Sequence, residues 1–152
     1  MNEEKRPGGL TALAVFNFIV SGMNFISFLG MVVMFAFIGK IPTDDMQEAQ
    51  KAQIEAFQNM GLPMFIFIFV LSIVSSVLLL LSGIGYLKQK KVMGRLLGNL
   101  YAVINIINSI ISVIMFSSVP GGGFNLSIII GLIYPILTLI LLNTTFKEDL
   151  TN

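Results

Sequence analysis

AVFNFIVS, Ala14 to Ser21, returns 88 residues later as AVINIINS, Ala102 to Ser109, with five of eight positions identical. Both copies lie in long uncharged runs of Ile, Val, Phe and Leu. A helix in water cannot carry such a run, because one of its faces must be polar, whereas a bilayer-spanning helix can. The stretch therefore predicts two matching membrane helices whose Asn and Ser residues turn toward a shared interior. Extending the alignment pairs Asn24 with Ser112 and Phe28 with Phe116. The two helices run the same way across the membrane, so the echo reads as a parallel repeat of a two-helix hairpin. Chance similarity between apolar segments is the alternative.

Composition agrees with a chain solvated by lipid. Of 152 residues, 55% are hydrophobic and 11% charged, and the mean hydropathy is +0.89. A soluble domain carries about 25% charged residues, because its surface has to face water. The length suits one domain. The net charge of +1 says nothing about partners, since the charges are segregated along the chain. With no Cys, His or Trp, the sequence offers no disulfide, thiol nucleophile or thiolate metal site. Heavy use of Ile, Asn, Lys and Phe suits an AT-rich bacterial genome.

Taken in order, a polar leader from Met1 to Gly9 precedes a first span of about 10–38. That run is too long for the apolar core of a secretory signal and lacks a small-residue cleavage site after it, so it reads as an uncleaved helix. Residues 40–61 form the one sizeable hydrophilic segment. Pro42, Thr43, Asp44 and Asp45 give a helix-start signal, with Asp45 and Glu48 at capping-box spacing. Met46, Ala49, Gln53, Ala56, Phe57 and Met60 then share a face, which predicts a short amphipathic surface helix at about 43–60. The second span is about 62–87, where fourteen of the eighteen residues from Met64 to Leu81 are Phe, Ile, Val or Leu. The third is about 96–118. Pro120 and three glycines make a turn, and the fourth span, about 124–146, contains Pro135, which predicts a kink. A brief polar tail, Lys147 to Asn152, closes the chain. The expected fold is thus an all-α membrane domain, a bundle of four transmembrane helices.

Orientation follows from the basic residues. Lys5, Arg6, Lys88, Lys90, Lys91, Arg95 and Lys147 fall on one side of such a bundle, and Lys40 and Lys51 on the other. Seven against two places both termini in the cytoplasm. The cluster Lys88, Lys90, Lys91 and Arg95 is read as contacting anionic lipid headgroups, each residue contributing about 1 kcal/mol near the surface. Docking of a cytoplasmic protein is the alternative, and nucleic-acid binding is not indicated.

The polar residues within the spans are the candidate interior face. Asn17, Ser21 and Asn24 follow helical spacing in the first span. Tyr101, Asn105, Asn108, Ser109 and Ser112 do so in the third. The second offers Ser72, Ser75, Ser76, Ser82 and Gly83, and the fourth Gly131, Tyr134 and Thr138. Carboxamides in hydrocarbon are costly unless hydrogen-bonded, so these faces should turn inward. Gly94 and Gly98 make a GxxxG step that permits close helix approach. Two readings stand beside each other: polar glue between helices, or a polar pocket or pathway for a neutral or weakly polar ligand.

Most other chemistry is unsupported. The spans carry no ionisable residue except Arg95 at the start of the third, so the midplane proton relay common in proton-coupled transporters is missing. Haem, zinc and intramembrane-protease constellations lack their residues. Asp44, Asp45, Glu48 and Glu55 lack EF-hand spacing and read as solvated acids at a helix start. No catalytic residue, cofactor or metal is expected.

Two segments, RPGGLTALAVFNFIVSG from Arg6 and GIGYLKQKKVMGRLLGNLYAVINII from Gly83, resemble a broad class of small uncharacterised bacterial four-helix integral membrane proteins. That class has a similar RPxG start and a similar GxxLxxxKxxGR hairpin, usually with a Trp that this chain lacks. The resemblance implies topology and carries over no functional residue. The inert chemistry, the small-residue faces and the lack of a large soluble domain thus point to a non-catalytic multi-pass inner-membrane protein, an accessory or structural subunit expected to associate with a protein partner or with copies of itself as an oligomer. Its rival is a small channel or carrier lined by Asn17, Asn24, Asn105 and Asn108.

Overall fold

The computed structural model describes residues 7–42, 46–59, 61–115, 117 and 126–150. Every regular element among them is helical: α1 (Gly8–Phe37), α2 (Glu48–Asn59), α3 (Gly61–Leu87), α4 (Leu97–Met115) and α5 (Leu126–Asn143). Three helical stretches, Gly8–Lys40, Gly61–Leu87 and Lys91–Met115, are long and apolar enough to cross a membrane. A fourth apolar helix, α5, is shorter and runs unbroken through the buried Pro135. The helix-start signal at Thr43–Asp45, the glycine-rich turn at 118–125, Met60 and Phe116 lie outside the described residues.

Helix α3 is the axis of the bundle. It packs against α1 on one side and α4 on another, while α5 packs against α4. The reason is in its sequence: Ser75, Leu78, Leu79, Ser82, Gly83 and Tyr86 recur at three- and four-residue spacing and are all buried, giving one narrow, small-residue seam that neighbours can approach. Gly83 lies under Phe18 and the Asn17 side chain. Gly85 meets the backbone of Met93 and Gly94 so closely that no side chain would fit.

That contact closes the α3–α4 hairpin. Lys90 N–H donates to Gly85 O at 2.9 Å, and Gln89 takes a left-handed conformation with φ 50°. The chain re-enters helix at once through a π-helical turn, Lys91–Leu96, so the helix begins about five residues before the expected start of the third span. Gly94 and Gly98 do serve close packing. Gly94 faces Gly85, Tyr86 and Leu150, and Gly98 lies beneath the Tyr86 hydroxyl and Leu142.

The chain end differs from the expected polar tail. Helix α5 stops at Asn143, earlier than expected, because Phe146 folds back, its N–H donating to Leu141 O at 2.8 Å. Phe146 then covers Gly9, and Leu150 is buried against Gly94. Leu10, Leu13, Ala14, Tyr86, Leu142, Phe146 and Leu150 form one core cluster. A tail that reads as polar by composition therefore helps to seal one end of the bundle through its one apolar residue, Leu150, together with Phe146 just before it. Toward the other end, α1 and α3 are held by rings: Phe35 stacks on Phe65 at 3.7 Å between centroids, and Phe28 meets Phe69 at 4.3 Å. Helix α2 is tied to the 3₁₀ turn after α1 by Gln58, which donates to Ile38 O at 3.0 Å. Its half-buried residues include Ala56 and Phe57 of the expected face, whereas Gln53 is exposed.

Candidate functional site: a polar knot and an open recess

Among the described residues the polar side chains of the first and third spans make no hydrogen bond to each other. Both sets turn onto α3, at different heights. Asn17 is wholly buried, and its amide donates to Leu79 O at 3.1 Å and to Ser82 Oγ at 2.7 Å. Its carbonyl accepts from the Tyr134 hydroxyl of α5. One carboxamide thus joins three helices and satisfies its main bonding positions, as a polar group withdrawn from water must. Ser21, one turn on, donates to Ser76 O at 3.1 Å. Two hydroxyls close the knot without a partner: Tyr86 Oη, beside Ser82 and Asn17 but without hydrogen-bond geometry to either, and Thr138 Oγ1.

Tyr101 belongs to the apolar layer beside this knot, packed with Leu78, Leu79 and Ala102. Beyond that layer α1 and α4 part, and a partly open recess of about 200 Å³ lies between them. Its polar lining is Asn24 and Ser27 of α1, Ser72 and Ser75 of α3, and Asn105 and Asn108 of α4, with Phe28 and Met31 on the apolar wall. Asn105 is anchored, donating to Ser75 Oγ at 2.5 Å and to Tyr101 O at 3.2 Å. Ser72 donates to Ile68 O in its own helix. Ser109 and Ser112 are half-buried farther along α4. The echoed asparagines therefore occupy unlike places: Asn17 is dry and fully engaged, and Asn105 stands at the edge of open space.

Of the basic cluster, Lys88, Lys90 and Lys91 are exposed and Arg95 is half-buried. Arg95 Nε and Nη2 both donate to Asn143 Oδ1, at 3.4 and 3.2 Å, and Asn143 exchanges hydrogen bonds with Asn99 at 2.9 and 3.2 Å. Lys147 joins Lys91 and Arg95 around a shallow cleft of about 220 Å³ that Glu148 and Leu150 also line. Sequence reasoning missed Asn99, Asn143 and the part played by Lys147. The seven-residue step from Tyr134 to Leu141, and the Asn143 that ends the helix, were the only local hints that α5 reaches this corner. No group of three or more metal-ligating side chains occurs among the described residues. No protein-family model, curated protein or solved structure matches the chain.

Proposed function

We propose that this chain is a non-catalytic multi-pass protein of the bacterial cytoplasmic membrane, an accessory or structural subunit of a membrane assembly, with α5 as a fourth span. Large apolar side chains on every long helix face outward, among them Ile26 (70% exposed), Ile114 (67%) and Leu126 (70%). Apolar surface this continuous is stable only against lipid or a partner. The basic ends of α3, α4 and α5 support a cytoplasmic location for both termini, and Lys88, Lys90, Lys91 and Arg95 then face anionic headgroups.

The observation that carries the structural role is Asn17. Its carboxamide, the most buried in the bundle, is spent on helix–helix hydrogen bonds and leaves no donor or acceptor for a passing solute. Purification in mild detergent, with mass spectrometry of whatever co-purifies, tests the reading. A stoichiometric partner or self-association is expected, and a solitary monomer argues against it. A reporter fused at Asn152 should be active only in the cytoplasm.

The second reading, a small channel or carrier for a neutral or weakly polar ligand, is favoured by the recess between α1 and α4. The knot at Asn17 and the layer of Leu78, Leu79 and Tyr101 separate that recess from the basic end, which favours a site over a continuous path.

A further inference from the structure

Asn24 and Asn108 differ from the other interior amides. Asn17 and Asn105 have protein partners, but the side chains of Asn24 and Asn108 make no hydrogen bond among the described residues, and both border the recess. Two free carboxamides, each with two donor hydrogens and an acceptor oxygen, therefore face each other's helices across open space. Left against hydrocarbon they would be costly, so polar matter must fill the gap. The volume holds several waters or one small solute.

Position sets the direction of access. At 1.5 Å per residue Asn24 stands about 24 Å along α1 from Gly8, in the half remote from the basic ends. Ser109 and Ser112 continue the polar line of α4 from Asn108 toward that remote end. Toward the basic end the way is shut by Asn17, Tyr134, Leu79 and Tyr101. The chemistry of the lining sets the class of ligand. It offers amides and hydroxyls and no charged group, so an ion would exchange a full hydration shell for a few neutral dipoles with no counter-charge, whereas a neutral molecule with donors and acceptors would exchange hydrogen bonds with water for equivalent ones.

We infer that the recess is a dead-ended, water-filled binding site for a small uncharged hydrogen-bonding solute, a polyol or amide, reached from the side opposite the basic cluster. The inference rests on the membrane reading above. Because the chain has no cysteine, single-cysteine variants of the full chain report accessibility without background. Asn108→Cys and Ile107→Cys are neighbours about 100° apart around the helix, the first in the recess and the second outward-facing at 49% exposure. Only a thiolate reacts with a methanethiosulfonate, and a thiol in hydrocarbon does not ionise.

In reconstituted vesicles, a hydroxyethyl methanethiosulfonate should modify Asn108→Cys and Asn24→Cys at least tenfold faster than Ile107→Cys. Glycerol or urea should slow the reaction severalfold, and sodium acetate should not. Protection of both recess cysteines, or modification that neither glycerol nor urea slows, overturns the inference. Equal and rapid modification at positions 107 and 108 would instead show that the bundle is not lipid-embedded, which defeats the membrane reading itself. Asn24→Cys guards against the case in which the variant at 108 does not fold.

Discussion

Tyr134 donates its hydroxyl to the carboxamide oxygen of Asn17, joining the last long helix to the first across 117 residues of chain. No other side-chain hydrogen bond among the described residues spans so much sequence. It adds a polar tie to the apolar contacts of Leu142 with Leu10, Leu13 and Tyr86, and it fixes the height at which α1, α3 and α5 meet.

Removing that amide should be among the costlier single changes in the protein. Asn17→Leu leaves the Tyr134 hydroxyl and the Ser82 side chain without their buried partner, a loss of about 1–3 kcal/mol. A double-mutant cycle of Asn17→Leu with Tyr134→Phe should give a coupling of about 0.6–1.7 kcal/mol, the range for hydrogen bonds between membrane helices. Equilibrium unfolding in mixed micelles measures both, and a coupling near zero would remove Tyr134 from the knot.

The same knot contains two hydroxyls, of Tyr86 and Thr138, that have no hydrogen-bond partner among the described residues. Thr138→Val and Tyr86→Phe each delete a buried donor without a partner while keeping the shape of the side chain. Each should leave the protein as stable as before or raise its stability by about 1 kcal/mol. A loss of about 1 kcal/mol or more in the same unfolding assay would mean that the hydroxyl has an acceptor in the folded protein.

Glycines should divide by what lies over them. Gly85→Ala forces a methyl into the Met93–Gly94 backbone and should cost about 1–3 kcal/mol, the usual penalty of overpacking. Gly131 has open space where its side chain would be, so Gly131→Ala should be neutral or improve stability by up to about 1 kcal/mol through helix propensity. Thermal aggregation of the two variants in detergent ranks them directly.

The end of the chain should prove structural rather than dispensable. Leu150→Ala opens space against Gly94 and Tyr86 and should cost about 2 kcal/mol or more. Glu148→Ala, two residues away and exposed, should stay within about 0.5 kcal/mol of the parent. Limited proteolysis of the solubilised protein should cut the Leu150 variant earlier within this segment.

The helical segments were legible in the sequence because uncharged runs of this length have few other solutions, and the observed ends fall within a few residues of the expected ones except where packing intervenes. The third helical stretch begins early, with the π-helical turn at Lys91, since Gly85 and Gly94 let the hairpin close at once, and α5 ends early since Phe146 is drawn back over Gly9. The contact of Phe146 with Gly9 joins the two ends of the chain, so no window along the sequence contains it, and the contact of Gly85 with Gly94, nine residues away, forms only because Gln89 turns the backbone between them. The final segment was misjudged for the same reason. Five of the last six residues are charged or carry a hydroxyl or amide, and only a partner surface reveals that Leu150 is the one that matters.

What the sequence determined by itself is which residues are polar within apolar helices, since the energy of placing an amide in hydrocarbon is a property of the side chain. It could not decide what each amide would do. Asn17 and Asn105 occupy equivalent places in an echoed segment, yet one is sealed among three helices and the other borders open space. That difference is set by which neighbours α3 and α5 bring to each height of the bundle, and it exists only once the helices have packed.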